Sequence, residues 1–364
     1  MYTEILNKYE IFKLRENGFV NNEWFVGSAL MGHNFKQFRE GIYYYYQETI
    51  WTRVLDLECI NPYWEIYNRT YNFLLVDKPC SLAINFLLDV LEEIKKYFSK
   101  DLKFVFITSD SSASDILLEN KCEIISANIP FFIEDSLVGN YLKVFVKNDN
   151  QFIPLIDCTL FKIENKSYFE VNINKFYIEI LNYLLYKNIP PKFTFFEKIF
   201  KINIADSFSN FIDIQENIRI VSLFDCLVKL SENNVKISGT YKGHTTKKIL
   251  KKLALYSVIL NYNLEKGYSL LNPEYCVFLK KELEKINHSY PRLMKKYSKE
   301  VLKDRYGLTD SVYKYLSGNL TITKINHYLK KTKYFTDIPF ISEPLSDDKF
   351  KQLITEMIAA KKRR

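Results

Sequence analysis

The strongest constraint on the fold is the order of apolar segments between residues 71 and 128. The apolar runs YNFLLV and LKFVFIT flank the amphipathic segment SLAINFLLDVLEEIKKYF, and the short segment DILLEN then leads to EIISANIPFF. Continuous apolar runs of this length are typical of buried strands, whereas the intervening segments have the periodicity of helices. We therefore predict the order β-α-β-α-β, with parallel strands buried between helices.

The flanking segments complete an N-terminal α/β domain with a partly parallel sheet, which we place at residues 1–190. Residues 137–171 favour strands, with a hairpin that turns at Glu164–Ser167, and residues 173–187 favour a helix. The segment 34–58 is predicted to be helical, because its larger side chains recur every three to four residues, at Phe35, Phe38, Ile42, Tyr45 and Thr49. A basic, mainly helical region follows, so the expected fold class is α+β.

The scarcity of glycine excludes several nucleotide-binding classes. The chain has 10 glycines in 364 residues, and the only cluster, FVGSALMGHN, matches neither the dinucleotide-binding motif nor the P-loop motif. Both motifs need several glycines together, because the backbone must approach phosphate closely. A Rossmann dehydrogenase, a P-loop NTPase and an ordinary methyltransferase all become less plausible.

Cysteine and histidine usage indicates no metal centre. The six Cys residues form no C-x-x-C pair and the four His residues have no ligand spacing, which favours reduced thiols in the cytoplasm. No apolar run reaches the ~18 residues that span a bilayer, and the first residues lack the core of a signal peptide. We expect a cytoplasmic protein without cofactor, metal or membrane partner.

Charge is distributed unevenly along the chain. Residues 242–333 contain 20 Lys and Arg against 7 Asp and Glu, whereas residues 1–241 contain 25 basic and 31 acidic residues. A basic region next to an acidic one favours a polyanionic partner, most often nucleic acid. The alternatives are a solvated lysine surface, or a patch that docks on the acidic half of the chain. A protein partner or a homo-oligomer is compatible with the same pattern.

Residues 218–272 have the order helix, strand, helix and two-stranded wing. The helix RIVSLFDCLVKLSEN precedes the short strand NVKISG, and Thr245 or Thr246 is the expected N-cap of HTTKKILKKLALYS. The segment VILNYNLEKGYSLL then favours two strands around a turn at Leu264–Gly267. This order resembles a winged-helix module.

The resemblance implies that the second helix is a recognition helix and that its lysines contact phosphates. The nucleic-acid-binding residues that it implies are Lys242, His244, Thr245, Lys247, Lys248, Lys251, Lys252 and Lys266, the last at the tip of the wing. The alternatives are a lysine-rich surface helix and a winged helix that binds protein or peptide.

The remaining C-terminal residues complete a domain at residues 191–333 and an extension at 334–364 with a basic tail. Within the domain, residues 289–319 place Pro291 in the first turn of a helix, Gly307 at its end and Thr309 as the cap of a second helix. The pattern resembles a helix-turn-helix unit, and a plain helical hairpin is the alternative.

The turn at residues 109–115 is one candidate site in the first domain. Asp110, Ser112 and Ser114 have the D-x-S-x-S spacing that also marks the metal-dependent adhesion site of von Willebrand A-type domains. That family has a long helix after its motif, whereas about seven residues precede the next strand here. We therefore expect Ser111, Ser112 or Ser114 to cap a short helix, and a ligand loop of Ser109, Asp110, Ser112 and Ser114 is the alternative.

A second pattern resembles nucleases that hold Mg²⁺ between an Asp and a Glu-x-Lys on neighbouring strands. Asp157, Glu164 and Lys166 match it, but Glu164 and Lys166 fall in the predicted hairpin turn, which favours a chance match.

Three hypotheses about the function remain, and the sequence identifies no catalytic residue. The leading hypothesis is a nucleic-acid-binding protein that acts through the basic C-terminal domain, with the α/β domain used for assembly or an unrecognised activity. The alternatives are a cytosolic transferase that acts on a nucleotide-bearing or peptide substrate, and a non-catalytic subunit of a larger assembly.

Overall fold

The computed structural model describes residues 2–15, 18, 37–50, 66–108, 110–126, 130–132, 138–148, 151–163, 165–200, 211–259 and 262–296. The strands are β1 (Ile11–Lys13), β2 (Gly41–Ile50), β3 (Tyr67–Val76), β4 (Lys103–Thr108), β5 (Glu123–Ser126), β6 (Pro130–Phe132), β7 (Val138–Asn148), β8 (Gln151–Ile163) and β9 (Lys166–Asn174). The α-helices are α1 (Thr3–Lys8), α2 (Cys80–Phe98), α3 (Ser111–Glu119), α4 (Lys175–Tyr186), α5 (Pro191–Phe200), α6 (Phe211–Glu232), α7 (Tyr241–Ile259) and α8 (Pro273–Lys296).

The strands in the described residues form one mixed sheet, which confirms the α+β class and the partly parallel sheet. Its order is β1-β2-β3-β9-β8-β7-β4-β5, and β6 pairs with β7. The pairs β1–β2 and β4–β5 are parallel, and the other neighbouring strands are antiparallel.

The order β-α-β-α-β over residues 71–128 is also confirmed, since β3, α2, β4, α3 and β5 follow one another. The expectation of a continuous parallel sheet is correct only for the neighbours β4 and β5 of this segment, because β3 and β4 run in the same direction without being neighbours. Strands β7, β8 and β9 lie between them and make most of the sheet antiparallel. Their insertion depends on pairing between residues distant in sequence, which local periodicity does not reveal.

The predicted helix at 34–58 is wrong in its centre, where residues 41–50 form β2. All ten residues of this strand pair with β3, from Gly41 opposite Val76 to Ile50 opposite Tyr67. Four consecutive tyrosines and the residues beside them suit a pleated strand better than a helix. Residues 51–58 lie outside the described part of the chain.

One face of the sheet packs against α1 and α2. The ring of Phe73 on β3 lies 5.2 Å from the ring of Phe86 on α2 and 5.6 Å from the ring of Tyr2 beside α1, measured between centroids. The backbone N–H of Ile5 donates to the Glu93 carboxylate at 2.5 Å and fixes α1 on α2. This layer belongs to a hydrophobic core that continues from Tyr2 to Leu279.

The C-terminal part of the described chain is helical, and none of its described residues forms the short strand or the two wing strands that the sequence predicts. Residues 234–239 form no strand, and Leu264–Leu270 form a 3-10 helix in place of the wing strands. The Asn263 side chain starts this helix by accepting a hydrogen bond from the backbone N–H of Glu265 at 3.0 Å. Gly267 leaves room for the ring of Phe224, because an added Cβ would lie 2.4 Å from the Cζ atom of that ring.

Helix α7 begins at Tyr241, before the predicted caps Thr245 and Thr246. The Thr246 hydroxyl instead donates to the carbonyl of Lys242 one turn earlier, at 2.9 Å. Gly243 lets the chain at Ser238 approach this first turn closely, which permits the early start. The winged-helix assignment and the domain boundaries near 190 and 333 stay predictions.

The last described helix, α8, continues through Pro291, which is therefore not in a first helical turn. The rest of the predicted helical hairpin, from residue 297 on, and the extension at 334–364 lie outside the described residues. Among the helices that the structure describes, none has both the length and the apolar character needed to cross a bilayer.

Candidate functional site

A row of polar side chains crosses five adjacent strands of the sheet. Tyr45 on β2 lies opposite Asn72 on β3, which lies opposite Asn172 on β9. Asn172 in turn lies opposite Asp157 on β8, and Asp157 lies opposite Lys143 on β7. Because residues directly opposite one another share a face of the sheet, these five side chains form one continuous line.

Alternation along β3 shows which face carries this row. The rings of Tyr71 and Phe73 contact the ring of Tyr2, on the side covered by α1 and α2. Asn72 stands between them in the strand, so its side chain points to the opposite side. The polar row therefore occupies the face turned away from α1 and α2.

Further polar side chains extend the row in both directions along the strands. Gln47, Thr70 and Asn174 lie opposite one another two residues further on, and Thr49 faces Asn68 beyond them. On the other side of the row, Glu170 lies opposite Thr159. We call the whole set the polar face: Tyr45, Gln47, Thr49, Asn68, Thr70, Asn72, Lys143, Asp157, Thr159, Glu170, Asn172 and Asn174.

Most of the polar face is buried, which is unusual for so many polar side chains on neighbouring strands. Asn72 and Gln47 are fully buried, and Glu170 is 4% exposed. Several members form hydrogen bonds with one another. Asn174 Nδ2 donates to Asn68 Oδ1 at 2.8 Å, and Asn72 Nδ2 donates to Thr70 Oγ1 at 3.0 Å. The strands thus hold a preformed layer of donors and acceptors.

Glu170 is the buried acid of this layer. The Tyr45 hydroxyl donates to its Oε1 at 2.7 Å, and the Thr159 hydroxyl donates to its Oε2 at 3.3 Å. Burial raises the pKa of this carboxyl to about 7, and nearby Asp157 adds to the rise, whereas the two hydroxyl donors oppose it. No Lys, Arg or His of the described residues forms an ion pair with Glu170.

Tyr45 is a permanent donor to this acid. Burial, followed by the adjacent Glu170 carboxylate, raises the pKa of the Tyr45 hydroxyl well above its ordinary value. The hydroxyl therefore stays protonated near neutral pH and can hold the carboxylate in one orientation. A carboxyl with a pKa near 7 can take up and release a proton at neutral pH, which general acid–base chemistry requires.

Lys143 and Asp157 form a charge pair beside the acid. Lys143 Nζ lies 2.7 Å from Asp157 Oδ1, and the lysine side chain is 4% exposed. The ammonium group also lies over the Tyr141 ring, at 5.1 Å from its centroid. This pair places one positive and one negative charge at the β7–β8 end of the polar row.

Some buried acceptor atoms of the polar face have no hydrogen-bond partner. Oδ1 of Asn72 and Oγ1 of Thr49 are among them, on side chains that are 0% and 1% exposed. The Asn72 amide is oriented by its nitrogen, which donates to Thr70 Oγ1 and to the carbonyls of Thr70 and Tyr45, at 3.0, 3.2 and 3.4 Å. Because unpaired buried polar atoms are costly, such atoms commonly mark positions where a ligand or water binds.

The predicted ligand loop contains a helix cap. Asp110 Oδ1 accepts a hydrogen bond from the backbone N–H of Ala113 at 2.9 Å and so caps α3. The expected helix cap is therefore confirmed, but the capping residue is Asp110 and not Ser111, Ser112 or Ser114. Ser112 and Ser114 lie in the first turns of α3, and Ser109 lies outside the described residues. In the part of the chain that the structure describes, no three His, Cys, Asp or Glu side chains come together as metal ligands. Ligand binding at this loop stays a prediction.

The nuclease pattern is not assembled in the described part of the sheet. Asp157 lies opposite Asn172, whereas Lys166 lies at the other end of β9, about 20 Å away at the rise of a strand. Lys166 instead donates to the carbonyl of Phe38 at 2.9 Å. Glu164 lies outside the described residues.

The predicted nucleic-acid-binding residues of α7 share one side of that helix, except for Lys242, which the helical period places near Ile249 and Leu253. His244, Lys248 and Lys251 are exposed, whereas Lys242, Thr245, Lys247 and Lys252 are partly buried. The opposite side, with Ile249, Leu250 and Leu253, belongs to the core. The helix contains no acidic residue, so it presents an uninterrupted basic surface. Lys266 is exposed, on the 3-10 helix instead of a wing tip.

Sequence reasoning did not predict the polar face, although a signal for it exists. The strands contain Y-x-Q-x-T at 45–49, N-x-T-x-N at 68–72 and E-x-N-x-N at 170–174. Polar residues at every second position are typical of one face of a strand. Nothing local shows that these three strands are neighbours, and only their pairing brings the pattern together.

Comparison with known proteins assigns no family. No protein-family model matches the chain, and no curated protein matches it in sequence. Among solved structures, the crystal structure of apo Staphylococcus aureus histidyl-tRNA synthetase matches with a TM-score of 0.38 and 9% identity. The match covers 51% of this chain and 64% of the synthetase chain, which is less than two thirds of that chain. A similarity this weak carries no argument about activity.

Proposed function

We propose that this protein binds a small polar substrate on the polar face and acts on it with Glu170 as a proton donor and acceptor. This function corresponds to the transferase alternative, in which the substrate bears a nucleotide or a peptide. The sheet would supply the binding groups, and the Tyr45 hydroxyl would keep the Glu170 carboxyl in position.

One observation carries this proposal: the buried acceptors on Asn72 and Thr49 have no partner in the protein. A buried polar atom without a partner costs about 1–3 kcal/mol of stability. A polar layer that served only stability would therefore be expected to give every one of its polar atoms a hydrogen-bond partner. A bound molecule that donates to these atoms would recover that free energy.

The test compares which compounds the protein retains. The full chain and two variants, Thr49→Val and Asn72→Leu, are equilibrated with a metabolite extract, washed and denatured, and the released molecules are identified by mass spectrometry. We expect the unchanged protein to retain a polar compound that both variants lose. Thr194→Val, on α5, is the matched control and should retain it.

Circular dichroism and thermal melting would confirm that each variant is folded before the comparison is made. If no compound is retained, or if Thr49→Val and Asn72→Leu retain the same compound as the unchanged protein, the polar face is not a substrate site.

A second candidate function is nucleic-acid binding through α7, for which its exposed lysines are the supporting observation. Lys248 and Lys251 point to solvent from a helix without acidic residues, next to Lys247 and Lys252. Such a surface suits phosphate contacts that fix position without reading much sequence. The helix would then have the role of the recognition helix that the winged-helix resemblance implies.

Binding to labelled duplex and single-stranded oligonucleotides over a range of salt concentrations tests this candidate. We expect the Lys247, Lys248, Lys251 and Lys252→Ala variant to lose affinity and to show a shallower dependence of affinity on salt. A variant with Lys103→Ala and Lys198→Ala, two exposed lysines on other elements, is the control. Equal affinity of the α7 variant and the control would exclude α7 as the nucleic-acid interface.

A further inference from the structure

The polar face also indicates the chemical class of its ligand. We infer that the substrate carries a protonated amine or guanidinium group, which binds between Glu170 and Asn72; this inference rests on the proposed function.

The first step is the charge of Glu170. Its two oxygens accept hydrogen bonds only from neutral hydroxyls, those of Tyr45 and Thr159. Lys143, a cation on the same face, is paired with Asp157. Within the described residues, the Glu170 carboxylate thus has no cation of its own, and a buried carboxylate without one is costly.

The second step is that the unpartnered atoms accept hydrogen bonds. The Asn72 amide uses its nitrogen for contacts within the protein and presents Oδ1, which can only accept. Asn72 lies opposite Asn172, two residues along β9 from Glu170, so the two side chains are diagonal neighbours on one face. Diagonal neighbours lie about 7–8 Å apart, a separation that one ligand group can bridge.

The third step is the match between these acceptors and a ligand. An ammonium group has three donors and a positive charge, and a guanidinium group has five donors in a plane. Either would supply the missing cation to Glu170 and a donor to Asn72 together. A metal ion fits less well, because no three acidic, His or Cys side chains of the described residues converge here.

Thr49 indicates where the rest of the ligand would lie. It is six residues along β2 from Tyr43, which is in register with Glu170 through Leu74, so it lies about 20 Å from Glu170 along the strands. Its buried hydroxyl can donate or accept and has no partner. The ligand is therefore elongated, with its cationic group near Glu170 and a second polar group near Thr49.

The test uses probes in matched pairs. Amides of the common amino acids are compared with their N-acetyl derivatives, and agmatine is the guanidinium probe; affinities are measured by calorimetry at pH 8. We expect at least one amine to bind, its acetylated partner to bind more weakly, and Glu170→Gln to lower the affinity roughly 30-fold or more. Asp115→Asn, an exposed acid on α3, should leave affinity unchanged.

Three results would contradict the inference: no amine binds, the acetylated partner binds equally well, or Glu170→Gln binds as tightly as the unchanged protein. The metabolite experiment separates this failure from failure of the proposed function. If the retained compound lacks an amine or guanidinium group, the inferred ligand class is wrong, but the polar face is still a substrate site. Retention of no compound overturns both.

Discussion

The hydroxyl of Tyr45 on β2 donates to Oε1 of Glu170 on β9 at 2.7 Å, across the intervening strand β3. This contact joins residues 125 positions apart in the chain and defines the acidic end of the polar face. Its consequences for stability can be measured without knowledge of the ligand.

Glu170→Gln should change how stability depends on pH. Burial raises the pKa of this carboxyl from 4.5 to about 7, so between these values the folded protein holds a proton that the unfolded chain has released. Stability of the unchanged protein should therefore fall as pH rises from about 4.5 to about 7, by on the order of 3 kcal/mol. Urea unfolding between pH 5 and pH 8 measures this.

In the Glu170→Gln variant, that part of the pH dependence should be lost. Glu92→Gln, which alters an exposed acid on α2, is the control and should leave the pH dependence unchanged. A pH profile that Glu170→Gln leaves unaltered would show that this carboxyl titrates normally in the folded protein.

Tyr45→Phe should raise the pKa of Glu170 further, because the hydroxyl stabilises the charged carboxylate. The variant should also lose about 1–2 kcal/mol of stability above pH 8, where the acid is ionised. Unfolding measurements at pH 5 and pH 8 distinguish the two conditions. Tyr97→Phe removes an exposed hydroxyl and should have little effect; an equal loss in both variants would contradict the role given to Tyr45.

Gly243→Ala should destabilise the C-terminal helices. An added Cβ would lie 2.2 Å from Ser238 Oγ and 2.6 Å from the backbone nitrogen of Ser238, so the chain at 236–238 would have to move. We expect a loss of about 1–3 kcal/mol in the free energy of unfolding. Gly239→Ala, where nothing lies within 4 Å, should cost less than about 1 kcal/mol. Similar losses at both positions would mean that close approach at Gly243 is unimportant.

The elements with strong local signals could be predicted from the sequence. Helix α2 has an amphipathic stripe through Ile84, Leu87 and Leu91, and all three are buried. The turn after β4 is predicted to cap a short helix, and such a cap is present, although Asp110 supplies it in place of the expected serines. These features depend on residues close in sequence, where periodicity and capping chemistry are informative.

The errors arose where tertiary contacts decide the conformation. The residues of β2 contain a helical period as well as an alternating one, and pairing with β3 selects the strand. The sequence predicts a turn at Leu264–Gly267 and a strand after it, yet residues 264–270 form a 3-10 helix in which Gly267 packs against Phe224. The polar face could not be found from single strands, because β2, β3, β9 and β8 become neighbours only in the folded sheet.

The central claim is that Glu170 lies buried in a polar layer without a cation beside it. Its titration can be followed directly by NMR of the ligand-free protein with ¹³C-labelled glutamate, and Glu170→Gln identifies its signal. The account predicts a midpoint near pH 7. A midpoint at or below the ordinary value of 4.5 would show that the carboxylate is already compensated, and would contradict the account.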